Sequence, residues 1–128
     1  PFFQSFSLDL WSWLLTALWI EGVMNAFNQI DGLDGLSSGL TIVALAFLAT
    51  LCCLQDQDVL LLLNLMLLGT TLGFWTFNRP PASIFMGDSG SLFLGYSLAV
   101  LSLWATEIPR KGQTILPLLI LAIPILDS

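Results

Sequence analysis

Side chains able to do chemistry gather in two short stretches of an otherwise apolar sequence. The first is Asn25 to Gly39, NAFNQIDGLDGLSSG, in which Asn25, Asn28, Asp31 and Asp34 recur at every third position. If a helix continues through them, neighbours in that series lie about one turn apart and the series drifts slowly round the axis. The second stretch is Phe77 to Gly95, FNRPPASIFMGDSGSLFLG, where Gly87 and Gly90 flank Asp88 and leave little bulk around its carboxylate. Carboxylates so placed suit a hard divalent cation. Mg²⁺ is commonly held by one or two of them, with waters and phosphate oxygens completing its shell. A cation held that way presents positive charge to a phosphate and stabilises charge that develops in phosphoryl transfer. The chain has no histidine, so an imidazole base is excluded. Any general base is a carboxylate or lies outside the chain.

The elements that must position these residues are membrane helices. Of 128 residues, 56% are hydrophobic and only 9% charged, against about 25% charged in a soluble domain. Such a chain cannot cover a water-facing surface, so the fold expected is all-α and polytopic, embedded in a lipid bilayer. Net charge is −6, and the three basic residues are Arg79, Arg110 and Lys111. Without a basic patch, nucleic-acid binding is excluded. Five apolar runs are visible, at about 10–27, 36–54, 59–77, 91–106 and 115–127. A helix of about 19 residues rises about 28 Å, close to the hydrocarbon thickness. The first three runs meet that length. The fourth can borrow Asp88 to Gly90 as its start, and the fifth is short.

Alternating crossings sort the connections between two membrane faces. One face, here called face A, receives Asp31, Asp34, Arg79, Asp88 and, at the end of the fifth run, Asp127. The other receives Asp9, Asp56, Asp58, Glu107, Arg110 and Lys111. Four aspartates from separate parts of the chain are thus expected on face A against one arginine, a balance that favours a cation over an unaided anionic substrate. Trp11, Trp13 and Trp104 fall at the opposite interface, where an indole keeps one wet edge. With so few basic residues, charge does not decide which face is cytoplasmic.

Several features have ordinary structural explanations. Gly69 and Gly73 make a small-xxx-small pair suited to close helix packing. Adjacent Cys52 and Cys53 make a poor disulfide and are expected as small apolar residues. Glu21, Asn25 and Asn28 form an i, i+4, i+7 stripe that should face the bundle interior or a water-filled cleft. Asp88 or Ser89 could cap the fourth helix. Pro80-Pro81 is expected to force an extended entry to its loop. Phe85 and Met86 either dip into the interface, or Phe85 offers a stacking platform to a flat ligand.

The two stretches together carry a resemblance. NAFNQIDGLDGLSSG resembles the N-x-x-N-x-x-D-G-x-D-G-L motif of the polyprenyl-phosphate N-acetylhexosamine-1-phosphate transferases, and IFMGDSGSLFLG resembles their F-M-G-D-x-G-S-L motif. The closing IPILD resembles the same family's next segment, so the likeness covers nearly the whole chain. It is closer to the enzymes that start teichoic acid, O-antigen and enterobacterial common antigen synthesis than to the muramoyl-pentapeptide branch.

The resemblance implies transfer of a sugar-1-phosphate, GlcNAc-1-phosphate first among them, from a UDP-N-acetylhexosamine to polyprenyl phosphate, with release of UMP. It implies Mg²⁺, with Mn²⁺ able to replace it, and a bacterial plasma-membrane protein whose active-site loops are cytoplasmic. A homodimer is an assembly it allows. Carried over by motif, Asp88 is a direct metal ligand and Asn28 lies in or beside the metal site and binds substrate. Asp34, with the backbone around Leu33, meets the uracil, and Phe85 stacks on it. Asp31 joins Asp34 and Asp88 in the catalytic network. The family also has an upstream Asp-Asp segment and a downstream loop rich in His and Arg, and neither occurs in this chain. Residues 1–128 are therefore expected to be one membrane domain of a longer transferase, inactive alone. Two other classes compete: an ion-binding transporter element, favoured by Glu21, and a non-catalytic membrane scaffold whose polar loops only cap helices.

Overall fold

The computed structural model describes residues 9–107 and 115–127, and every regular element among them is a helix. In chain order these are α1 (Asp9–Ile30), α2 (Leu36–Leu54), α3 (Asp58–Asn78), α4 (Gly87–Thr106) and α5 (Leu116–Asp127). The bounds of α2 coincide with the apolar run. The other long helices overrun theirs, because polar residues at a helix end keep their backbone bonds while the side chains reach toward water. α4 overruns most, starting at Gly87 and enclosing Asp88 in its first turn.

α2, α3 and α4 are long and apolar enough to cross a membrane. Of the five expected spans, α1 has the length at 22 residues, but Glu21, Asn25, Asn28 and Gln29 interrupt its apolar character. α5 has 12 residues, a rise of about 18 Å, well short of the hydrocarbon thickness. The chain is thus an all-α membrane protein with three helices that clearly qualify as spans.

The helices pack as two antiparallel pairs, α1 with α4 and α2 with α3; α2 joins the pairs, chiefly through α4, and α5 packs on α1 and α4. The α2–α3 connection is short. It turns through Asp56 at φ 55°, with the Gln57 N–H donating to the Cys52 carbonyl at 3.0 Å. Val23 and Phe27 of α1, Leu45 and Leu48 of α2, Leu98 of α4 and Leu121 of α5 are fully buried in one core. The α1–α4 contact is nearly backbone to backbone. A Cβ at Gly95 would lie 2.8 Å from the Met24 Cα and 3.2 Å from the Val23 carbonyl oxygen.

Gly69 and Gly73 behave otherwise than their spacing suggests. Both are exposed on α3, and a Cβ on either would meet nothing within 4 Å. Among the described residues no helix uses them for close approach; Gly95 has that role instead. Cys52 is buried, Cys53 is exposed, and both are free thiols.

Gly95→Ala should therefore lower thermal stability in detergent, by about 1–3 kcal/mol from overpacking against backbone that cannot yield. Gly22→Ala, on the same helix pair but with nothing within 4 Å of the new methyl, should leave the melting temperature unchanged or raise it, since Ala outranks Gly in a helix.

Candidate functional site

Both polar stretches lie at one end of the helices. The first, residues 31–35, continues α1 by one bond, from the Asp31 N–H to the Phe27 carbonyl at 3.2 Å. It then reverses at Gly35, in the left-handed region at φ 73°. A Cβ on Gly35 would lie 3.1 Å from the Arg79 Cα and 3.3 Å from the Pro80 Cδ. Glycine is needed there twice over, for its dihedral and for the space. This turn rests directly on the end of α3.

The second stretch leaves α3 in an extended conformation at Arg79 (φ −62°, ψ 151°), as the residue before a proline prefers. The Pro80-Pro81 bond is cis, and the loop does not stay extended. It folds back so that the Ser83 N–H donates to the Phe77 carbonyl at 2.9 Å and the Ile84 N–H to the same oxygen at 3.3 Å. Arg79 lies 6.0 Å above the Trp75 ring, within cation–π range.

Asn78 holds the two stretches together. It is 3% exposed. Its Oδ1 accepts from the Ser38 hydroxyl at 2.7 Å, and its Nδ2 donates to the Ile84 carbonyl at 3.0 Å. One carboxamide thereby ties α2, α3 and the loop between α3 and α4. A second tie runs from the Ala82 N–H to Asp34 Oδ2 at 3.1 Å. Beneath the loop, the half-buried Met86 sulfur meets the Ser37 hydroxyl at 3.8 Å. Met86 dips inward, whereas Phe85 does not: it is 73% exposed.

At the start of α4, Gly87 has φ 68° and Met86 occupies the N-cap position without a side-chain cap bond. Neither Asp88 nor Ser89 caps the helix. The Asp88 carboxylate instead lies free in the first turn, where the helix dipole favours an anion. Ser91, fully buried, has its Oγ 3.0 Å from Asn28 Oδ1 and 3.1 Å from the Asp88 carbonyl oxygen. This hydroxyl joins the first motif to the second.

Electrostatics join them again. The Asp31 carboxyl is held above the ordinary carboxylate range, first by partial burial and then by the negative charge of Asp88. Asp31 and Asp88 lie within one another's field, and a cation between them would relieve both the repulsion and the lost hydration. Among the described residues, no group of three or more His, Cys, Asp or Glu could hold a metal ion. Two carboxylates nevertheless fit Mg²⁺, which usually keeps waters and takes substrate phosphates as its other ligands. Asp34 stands outside this pair, with one oxygen engaged by Ala82. Of the four aspartates expected on face A, three therefore meet there in a two-plus-one arrangement. Asp127 ends α5, and its side chain lies outside the described residues.

Other expected site residues fall as follows. Leu33 is 67% exposed beside Asp34. Asn28 is half-buried against Ser91, while Glu21 and Asn25 are exposed. The latter two line an open cleft of about 840 Å³ with Leu18 and Leu92, so the stripe faces a cleft along most of its length and a partner helix only at Asn28. Ser38, Asn78 and Ser91 were not anticipated as site-building residues. The available signal was an asparagine ending an apolar run immediately before Arg-Pro-Pro, a polar group in need of a buried partner.

An all-α membrane protein with two acidic, glycine-bearing loops joined at one end of its helices is a definite class. The chain belongs to glycosyl transferase family 4, which it matches over residues 1–106. It is 43% identical over 126 residues to a probable undecaprenyl-phosphate N-acetylglucosaminyl 1-phosphate transferase of Bacillus subtilis, covering 98% of this chain and 35% of that protein. It is 46% identical over 105 residues to a phospho-N-acetylmuramoyl-pentapeptide-transferase of Limosilactobacillus fermentum, covering 80% of this chain and 33% of that one. A phospho-N-acetylmuramoyl-pentapeptide-transferase of Listeria monocytogenes is 42% identical over 103 residues, 79% of this chain and 32% of that protein. The chain thus spans about a third of the length of these relatives. No solved structure matches it.

Two outcomes follow from the geometry. Because the raised pKa of Asp31 disfavours its charged form in the fold, Asp31 destabilises the protein above its folded pKa and not below its unfolded one. Asp31→Asn should therefore raise the melting temperature in metal-free detergent at neutral pH. That gain should fade as pH falls through the folded pKa toward the ordinary carboxylate value. Asn78→Ala removes the partner of the Ile84 carbonyl and leaves the Ser38 hydroxyl only its weaker bond to the Gly35 carbonyl at 3.3 Å, at a cost of about 1–3 kcal/mol. Hydrogen exchange at the Ser83 and Ile84 amides should then speed up by about tenfold or more.

Proposed function

We propose that this chain forms the metal-and-nucleotide half of a transferase that moves a sugar-1-phosphate, GlcNAc-1-phosphate first among candidates, from a UDP-sugar to undecaprenyl phosphate, releasing UMP. The observation that carries this is the convergence of the two motifs: Ser91 Oγ reaches Asn28 Oδ1 of the first and the Asp88 backbone carbonyl of the second, and the partly buried Asp31 carboxyl feels the charge of Asp88. The relatives support the reaction class: one is named for N-acetylglucosaminyl 1-phosphate transfer on undecaprenyl phosphate, the others for phospho-N-acetylmuramoyl-pentapeptide transfer.

Asp88 and Asp31 would hold Mg²⁺, with Asn28 beside them. Bound there, the ion neutralises phosphate charge on the donor and on the leaving UMP. The remaining work belongs to the side chains. Asp34 keeps Oδ1 to accept from the uracil imide N–H while Oδ2 holds Ala82. The exposed Phe85 ring would stack on the uracil, and the backbone around the exposed Leu33 would meet the same base alongside Asp34. The acceptor needs little activation, because a phosphate monoester with a second pKa of about 6 is largely dianionic at neutral pH. Its oxygen forms a bond to the sugar-bearing phosphorus as the bond from that phosphorus to UMP breaks, and no proton need move. A chain without histidine is compatible with this chemistry. The acidic loops are then cytoplasmic, where the nucleotide sugar is, and the lipid acceptor reaches them from the bilayer of the bacterial plasma membrane.

The test is Asp88→Asn in a full-length transferase carrying this segment, assayed by Mg²⁺-dependent release of UMP from UDP-GlcNAc. Loss of several kcal/mol of charge stabilisation should lower turnover about a hundredfold or more. Near-normal turnover would remove Asp88 from the metal site.

A further inference from the structure

Ser91 holds a position that the proposed chemistry does not use. It is fully buried at the α1–α4 contact, and its hydroxyl carries one proton but has two acceptors in reach, Asn28 Oδ1 at 3.0 Å and the Asp88 carbonyl oxygen at 3.1 Å. A hydroxyl donates once and accepts through two lone pairs. With Asn28 Oδ1 turned to Ser91, the carboxamide has only its Nδ2 donors left to offer, and an N–H₂ group cannot ligate a cation. Reversing the carboxamide places Nδ2 against Ser91 and frees Oδ1. In that state Asn28 donates to the Ser91 oxygen and Ser91 donates to the Asp88 carbonyl. The Ser91 proton keeps an acceptor in both states, because the second is already in place. The reversal is a half-turn of a planar amide and needs no backbone shift.

We propose that Ser91 is a positioning residue that lets the Asn28 carboxamide reverse, so that it turns Oδ1 toward a divalent cation when one binds between Asp31 and Asp88. This rests on the metal site proposed above. Ser91 never touches the ion; it fixes which end of Asn28 does, as partners behind a ligand commonly do. A serine suits the role better than alanine, because alanine leaves the carboxamide unguided.

The experiment measures Mn²⁺ binding alone, without sugar donor, by loss of the free-ion electron paramagnetic resonance signal, in a full-length transferase carrying this segment in detergent. Ser91→Ala should weaken Mn²⁺ about tenfold or more, the usual cost of removing a partner behind a metal ligand. The second arm uses Asn28→Asp. A carboxylate has two equivalent oxygens, one for Ser91 and one for the ion, so no reversal is required. In that background Ser91→Ala should cost less than about threefold, a coupling that a merely structural serine does not produce. An equal cost in both backgrounds, or no cost in the otherwise unchanged protein, overturns the proposal. Asp88→Asn is the separate control. If it leaves Mn²⁺ binding intact, the metal site itself is misplaced. If it abolishes binding while Ser91→Ala does not weaken it, only the role of Ser91 fails.

Discussion

The buried carboxamide of Asn78 is the interaction on which the rest of the site depends. An unpaired amide at the end of an apolar helix is costly, so this one must be satisfied, and the partners available come from three different segments. By accepting from Ser38 and donating to Ile84, Asn78 fixes the end of α3 against the first turns of α2 and folds the following loop back over Phe77. The Gly35 turn then seats against Arg79 and Pro80, and Asp34 catches the Ala82 amide. Without that bond, the loop carrying Phe85 and Met86 toward Asp88 would have no fixed starting point.

The second constraint is steric. On α4, Ser91 and Gly95 are one turn apart on the same face; on α1, Asn28 and Met24 stand in the same relation. The pairs run antiparallel, with Gly95 against Met24 and Ser91 against Asn28. A missing side chain at Gly95 brings the two backbones together, and that closeness lets a side chain as short as serine reach across. The glycine thus does positional work for the site from one turn deeper in the membrane. The helix that it packs also carries Asp88 in its first turn, so the same contact helps set how far that carboxylate stands from Asp31.

Much of this was legible in the residues. Hydrophobic run lengths located all five helices, and α2 to the residue, because a chain with so few charges marks its helix ends wherever polar residues appear. Alternation of crossings brought Asp31, Asp34 and Asp88 to one end before any contact was known. Elsewhere local pattern misled. Gly69 and Gly73 have the spacing of a packing motif, but among the described residues nothing lies opposite them; spacing says which face a residue shares and not what lies opposite. Asp88 has the sequence context of a cap, yet α4 starts one residue before it, because Gly87 can take the positive φ that begins the helix there. The division of the aspartates into a pair and a single also escaped the sequence. It depends on one backbone N–H, that of Ala82, being turned toward Asp34 by a loop whose fold is set by Asn78.

The pair itself is an argument about why such a site sits at a membrane face. A partly buried carboxylate facing a second negative charge raises the free energy of the fold, and burial and the Asp88 charge together push the Asp31 pKa up. Deeper in the bilayer the same pair would protonate, because a low dielectric magnifies both repulsion and lost hydration, and a protonated acid is a poor ligand for a hard cation. Fully in water, screening would remove the repulsion and with it most of the preference for a cation over solvent. At the ends of α1 and α4 the partly buried Asp31 and the exposed Asp88 stand between those two extremes. In the proposed metal site, relief of that repulsion would be the source of the affinity. The hydrogen bonds of Asn78, Asp34 and Ser91 are what keep the two loops from separating to escape the repulsion.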